Sequence, residues 1–519
     1  MNAPVSYALP RTVPAVGSLV VVCRILTLAL SLLVLVLGDV GAASSRETLI
    51  LYTALLLAYL SVEVRNVART QPVRWLAHPT VLASLMTFGM GFGFTNVIYL
   101  NDLFTNSIYP IFETRQEAFR WMNTAMGYVL AAAVLMWTGS DSGVARRITG
   151  RLDRSLLLAR WLRPTFDVRW GLVWVAVGLS IAARLVKISL GLFGYSGSRS
   201  RIYELAAIRE YLNVFESLGL LALVLVSIRA FSRERIRPLD TLLLLLLIAL
   251  EVGFGAMSGF KGATTLPVVI AAFSFYLCRG RVSWVGAGLV MLALFMAYQV
   301  VEPFRKLASS EGAISNTDVG SIAGAVESVV RGTDDTGLDL TAEDTFYRIM
   351  ERQNFLVFSA RAIKLSHDGV PESAGGIPTP KFAKTLVLSP VYAVVPRLLW
   401  RDKPIQEMGL WFNYALGFGY ENAVGMGSIG YLYLAGGLFA ICAVFFLIGI
   451  VQSVLFEAFF KRGGGGLLVF LGLVMALAMI KPFVPGLVVR VVRLVPALIA
   501  LQVLLLRPPA AARAAPRTG

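Results

Sequence analysis

Cysteine and histidine are scarce here: three cysteines and two histidines in 519 residues. Cys23, Cys278 and Cys442 all fall inside apolar runs. That placement excludes a disulfide framework, a thiolate metal cluster and a cysteine nucleophile on a loop. With only His78 and His367 available, a histidine-built metal centre is not expected, and neither is any cofactor. Charge is thin as well. Charged residues make up 15% of the chain, against roughly 25% in an ordinary soluble domain, so a soluble globular fold is excluded. The net charge of +16 is dispersed through short segments between apolar runs instead of forming one basic face. It therefore argues for membrane topology and against nucleic acid as a partner.

What the sequence has in abundance is apolar length. Hydrophobic residues are 57% of the total and the mean hydropathy is +0.71. The expected fold is an all-α polytopic membrane protein. Runs long enough to span, about 20 residues each, begin near Gly17, Thr48, Thr80, Phe119, Trp170, Tyr211, Thr241, Ala263, Ser283, Met426, Leu467 and Pro485. Twelve spans are thus expected: nine within 1–301 and three within 426–506. The first run is not followed by a small-residue cleavage site, so it reads as a span and not a signal peptide. Arginines crowd alternate loops: Arg65, Arg69 and Arg74; Arg146, Arg147, Arg151 and Arg154; Arg229, Arg233, Arg235 and Arg237; Arg279 and Arg281. By the positive-inside rule those loops and both termini are cytoplasmic, and residues 302–425 are outside. The expected location is the bacterial inner membrane.

A connection of about 125 residues is far longer than an ordinary loop and implies function. Its first part, Ala308 to Leu340, is small, acidic and expected to be mobile. Apolar residues then recur at helical spacing (Phe346, Ile349, Met350, Phe355, Phe358, Ile363), predicting one interfacial helix over 342–366. A Gly/Pro loop follows at 369–380, and then a proline-framed stretch, Ser389 to Pro404, carrying Arg397, Trp400, Arg401 and Lys403. Arginine forks suit phosphate oxygens, and aromatic faces suit sugars. The tail, 507–519, is rich in Pro, Ala and Arg and is expected to be disordered in the cytoplasm.

Ionisable residues inside spans are costly and mark function by default. Arg184 and Lys187 share a helical face at i, i+3, about 21 and 25 Å from the cytoplasmic start of their span. Arg490 and Arg493 repeat that spacing towards the outer side of the last span. Lys261 and Lys481 sit at outer helix ends, and Arg24, near the cytoplasmic end of its helix, is expected to snorkel. Glu251, near mid-membrane, is expected to form a structural ion pair.

Three short motifs carry a resemblance. Val-Pro-Arg-Leu-Leu-Trp-Arg-Asp-Lys-Pro (395–404) followed by Gly-Leu-Trp-Phe (409–412), Ser-Gly-Phe-Lys-Gly (258–262) and Glu-Pro-Phe-Arg (302–305) resemble segments of bacterial O-antigen and capsular-type repeat-unit polymerases, as does the layout of spans. The resemblance implies a metal-independent glycosyltransferase that joins oligosaccharide repeat units carried on undecaprenyl diphosphate at the periplasmic face. It also implies a flippase and a chain-length regulator as partners beside the membrane lipids. An Arg followed eleven positions later by Gly, present in some relatives, is missing from the outer loops, so donor and acceptor loops are not assigned. In such a site fixed cations must neutralise the departing diphosphate. Arg184, Lys187, Arg490 and Arg493 are the candidates to hold it, with Arg397, Lys403, Arg305 and Lys261 acting from the loop side as catalytic residues. Candidate general bases are Glu302, Glu343, Asp344, Glu351, Asp402 and His367. A lipid-linked oligosaccharide flippase and an O-antigen ligase are the competing expectations, the latter through His367.

Overall fold

Helices form because an apolar run in lipid must satisfy its backbone polar groups internally. The computed structural model describes residues 17–39, 45–71, 75–100, 111–154, 167–194, 204–232, 237–309, 318–331, 341–395, 399–400, 408–418, 424–461, 464–478, 480 and 484–507. In chain order the main helices are α1 (Ser18–Asp39), α2 (Arg46–Thr70), α3 (Pro79–Tyr99, with wide π turns over Ser84–Gly93), α4 (Arg115–Ser140) and α5 (Gly143–Asp153). There follow α6 (Trp170–Ser189), α7 (Ala206–Phe231), α8 (Pro238–Met257), α9 (Lys261–Arg279) and α10 (Trp284–Ser309). The long connection contributes α11 (Val319–Arg331), α12 (Ala342–Gln353), α13 (Leu356–Asp368), α14 (Phe382–Val394) and α15 (Met408–Ala415). The last helices are α16 (Gly427–Leu455), α17 (Gly464–Ala478) and α18 (Val484–Leu505).

Ten of these, α1–α3, α6–α10, α16 and α18, are long and apolar enough to cross a membrane. The protein is therefore an all-α, multi-pass membrane protein. The other two expected spans fall on α4, whose first turns carry Arg115, Glu117 and Arg120, and on α17, which has 15 residues.

The chain divides into two units. The first holds 1–165 and 350–500, the second 166–349 and 501–519. In the first, α4 is the central helix, packed against α1, α2, α13 and α16. Glycines set its approach to α16: a Cβ at Gly139 would strike the Phe446 backbone, and one at Gly449 the Met136 carbonyl. Small residues let membrane helices touch backbone to backbone in this way. α16 is itself interrupted, with non-helical backbone at Gly436 and Gly437.

Arg24 does not snorkel. Its guanidinium forks onto Glu63 at 2.6 and 2.9 Å and reaches Asp141 at 2.5 Å, tying α1 to α2 and to the end of α4. A buried arginine with carboxylates in reach is held more strongly by them than by distant headgroups.

The interfacial helix expected over 342–366 is broken. Asn354 ends it: its Oδ1 accepts the Leu356 N–H and the Tyr99 hydroxyl, and its Nδ2 donates to Thr95 and Asn96. Beyond it the Phe355 N–H donates to the Gly91 carbonyl. The Gly/Pro loop forms a two-residue hairpin, Ser373–Ala374 against Ile377–Pro378, turning through Gly375 and Gly376 at positive φ, where glycine is the natural choice. The acidic stretch expected to be mobile contains α11, which buries Ile322 and Val329 against Ile188, Phe193 and Phe304. Its flanks, 310–317 and 332–340, lie outside the described residues, as do tail residues 508–519.

Candidate functional site

In the second unit α8 and α9 are joined by the Ser258–Gly262 turn. The Ser258 hydroxyl donates to the Gly255 carbonyl and accepts the Phe260 N–H, and Gly259 takes positive φ. Gly194, also at positive φ, lies directly on the Ser258 backbone, where any Cβ would collide. The turn is thus fixed from both sides.

Lys261 is the first residue of α9, where the helix dipole disfavours a cation. Its ammonium turns away, over the Tyr298 ring at 3.6 Å from the centroid and onto the Glu302 carboxylate, both on α10. One turn along α10, Arg305 donates from Nε to the Gly259 carbonyl at 2.6 Å. Arg348 on α12 reaches Glu302 at 3.7 Å, and Gln299 donates to Thr345 at 2.6 Å. Two of the three motifs, Ser258–Gly262 and Glu302–Arg305, are thereby one structure. Lys261 and Arg348 converge on the Glu302 carboxylate at the end of a helix bundle, and Arg305 stands one turn along, held by the Gly259 carbonyl.

On the same α8, Glu251 lies about 10 Å from that turn at 1.5 Å per residue. Its carboxylate receives both terminal nitrogens of Arg184, at 2.9 and 2.7 Å, so the expected ion pair is formed. Arg184 Nε faces Glu216 on α7 at 3.7 Å, and Lys187 is bonded to Glu216 and, at 3.0 Å, to Asn213. Ser180 donates to the Glu216 carbonyl. Gly219 leaves the space that the Glu251 carboxylate fills; a Cβ there would strike both Glu251 and Ser180. Phe254 lies under the Arg184 guanidinium at 4.8 Å. Two cations and two carboxylates match; Arg184, Lys187 and Glu251 are buried, Glu216 is part-exposed and Asn213 is exposed.

The first unit holds the other candidates. Arg493 donates to the Ala393 carbonyl at 2.9 Å and to Tyr392 at 3.3 Å, closing the C-terminus of α14, as cations do at helix ends. Arg490, one turn away, is exposed. Trp400 packs on Tyr392 with ring centres 5.6 Å apart, whereas Arg397, Lys403 and Asp402 lie outside the described residues. His367 is exposed between Trp121 and Tyr433, with Nε2 3.2 Å from the Tyr433 hydroxyl. Lys364 joins Glu117 at 2.7 Å and Asp368 at 2.8 Å. Burial pushes Glu117 up, but the Lys364 ammonium and the Glu113 N–H outweigh it and hold the carboxyl below the usual range.

The structure thus brings Lys261 to Arg305, and Arg184 to Lys187 through Glu216. It places Arg490 and Arg493 in the other unit. Sequence reasoning missed Glu216, Asn213, Tyr298 and Arg348. The first two had a signal: Asn213, Glu216 and Gly219 recur every three residues inside an apolar run, a polar stripe on one helix face.

No curated protein and no solved structure matches the chain. Residues 180–479, more than half of the sequence and including both the Lys261 cluster and the Arg184 network, match the family described as Domain of unknown function (DUF8712), and the chain belongs to that family.

Proposed function

We propose that this protein is a metal-independent glycosyltransferase of the bacterial inner membrane. It polymerises undecaprenyl-diphosphate-linked oligosaccharide repeat units at the periplasmic face, with both termini in the cytoplasm and twelve spans. A flippase would deliver the units and a chain-length regulator would set the product. The observation that carries the reading is the pairing of Lys261 and Arg348 with Glu302 at the end of α8–α10, with Arg305 one turn along on the Gly259 carbonyl. A departing lipid diphosphate develops negative charge, and cations already fixed in place stabilise it without reorganising.

The geometry supports a division among the eight candidate cations. In this reading Lys261 and Arg305 of the second unit meet the diphosphate, while Arg397, Lys403 and the exposed Arg490 of the first unit are candidates on sequence grounds alone. Arg184 and Lys187 hold helices together instead, because a phosphate would have to displace carboxylates from a buried pair, and breaking such a pair costs about 3–5 kcal/mol. Arg493 is committed to the α14 carbonyls. Glu302, drawn on by two cations, orients them better than it would take a proton.

The test is a deletion strain complemented with variants and scored by glycan gel. Complementation by wild type, with Lys261→Ala and Arg305→Ala leaving single repeat units but no ladder, supports the proposal. Loss of all surface glycan with lipid-linked units stranded inside the cell indicates a flippase. Polymer that forms but stays unattached to lipid A core indicates a ligase, the reading that the exposed His367–Tyr433 pair would serve.

A further inference from the structure

The second unit supplies the proposed chemistry, but α5 in the first unit has a face the chemistry does not use. Two residues, Asp141 and Ser142, separate its start from the end of α4. One side packs against α16 and the turns at 456–460, with Ala145 buried. The other side is open. Val144 and Ile148, one turn apart, are 48% and 37% exposed. Beside them Arg147, Arg151 and Arg154 form an exposed row at i, i+4, i+7, the spacing of one helix face. None of the three is ion-paired among the described residues. Arg146 is apart from the row, donating to the Asp141 carbonyl at 3.1 Å.

The level of this face in the membrane follows from Arg24. Its bond to Asp141 sets the start of α5 beside the first turns of α1, where Leu19, Val22, Ile25 and Leu26 are exposed. A helix at the edge of an apolar belt, with an apolar strip and a cationic row side by side, has the two properties of an interfacial lipid-binding helix.

We infer that α5 binds anionic glycerophospholipid, with headgroup phosphates on Arg147, Arg151 and Arg154 and the first acyl carbons on Val144 and Ile148. The occupant is the leaflet along which the helix lies; the charge row is complementary to it, and the neighbouring α1 already faces its tails. This inference does not depend on the glycosyltransferase reading.

To test it, the purified full-length protein is titrated in detergent with phosphatidylglycerol or phosphatidylcholine, and bound lipid is counted by native mass spectrometry. Wild type is expected to favour phosphatidylglycerol by about tenfold or more, and the preference should shrink as salt rises. The R147Q/R151Q/R154Q variant should lose most of the preference, and R147K/R151K/R154K should retain it. Equal binding of both lipids by wild type overturns the inference. So does an undiminished preference in the glutamine variant, or equal loss in the glutamine and lysine variants.

Discussion

The second unit contains two charge clusters, one on α6, α7 and α8 and one on α9, α10 and α12, and they differ in how their cations are held. Around Arg184, two cations meet two carboxylates, and every charge has a partner, with Arg184, Lys187 and Glu251 buried. Around Lys261, two cations meet the Glu302 carboxylate at a helix end, and Arg305 holds the Gly259 carbonyl beside them. Residue type alone does not distinguish them: both are Arg, Lys and Glu. The matched cluster stabilises the bundle, since removing any member strands a charge. Under the proposed function, the Lys261 cluster is the one that meets the lipid diphosphate.

The sharpest way to break the comparison is Glu251→Ala. It leaves Arg184 buried without its main partner, and the expected loss is about 3–5 kcal/mol, read as a fall in melting temperature in detergent and in membrane yield. Replacing Arg184 and Glu251 together by Met should recover most of that loss. A double variant no better than the single would mean the pair is not a closed unit.

Lys261→Ala should behave oppositely. The stability cost is about 1.5–3 kcal/mol, that of one charged hydrogen bond, while the glycan ladder disappears. If melting and ladder fall together as steeply as for Glu251→Ala, the two clusters do the same job.

Gly219→Ala sharpens the picture of the matched cluster, because its Cβ competes with the Glu251 carboxylate for one space. Overpacking of this kind costs about 1–3 kcal/mol, and the melting curve should show it without any change in which lipids bind.

The smallest effect belongs to Glu117 in the first unit. Its carboxyl is held below the unfolded value by Lys364, so its contribution is present above the unfolded pKa and is lost as pH falls through the folded one. Melting temperature should decline as pH falls below the ordinary glutamate value of 4.5, and Glu117→Gln should flatten that part of the profile.

Much of the architecture was legible in the sequence because a 20-residue apolar run has few alternatives in lipid. Glu251 could be foreseen as an ion-pair partner from its depth. The identity of the pair was less accessible: Arg184 and Glu251 stand 67 positions apart, and only the packing of α6 against α7 and α8 joins them. Arg24 was misjudged for the same reason, since Glu63 and Asp141 come from two other helices. Asn354 shows the limit for helix periodicity. The apolar spacing runs straight through it, but its side chain finds three partners on α3 and ends the helix.

The interruption of α16 at Gly436–Gly437 has a mechanical meaning. Ahead of it, Gly430 lies against Ala362 and Ser359 of α13, and Tyr433 touches His367; behind it, Gly449 is seated on α4. A continuous rod would carry any rotation of α13 through to the α4 contact. Broken in two, the helix instead meets α4 twice, through Tyr433 on the Tyr128 ring ahead of the break and through Gly449 behind it.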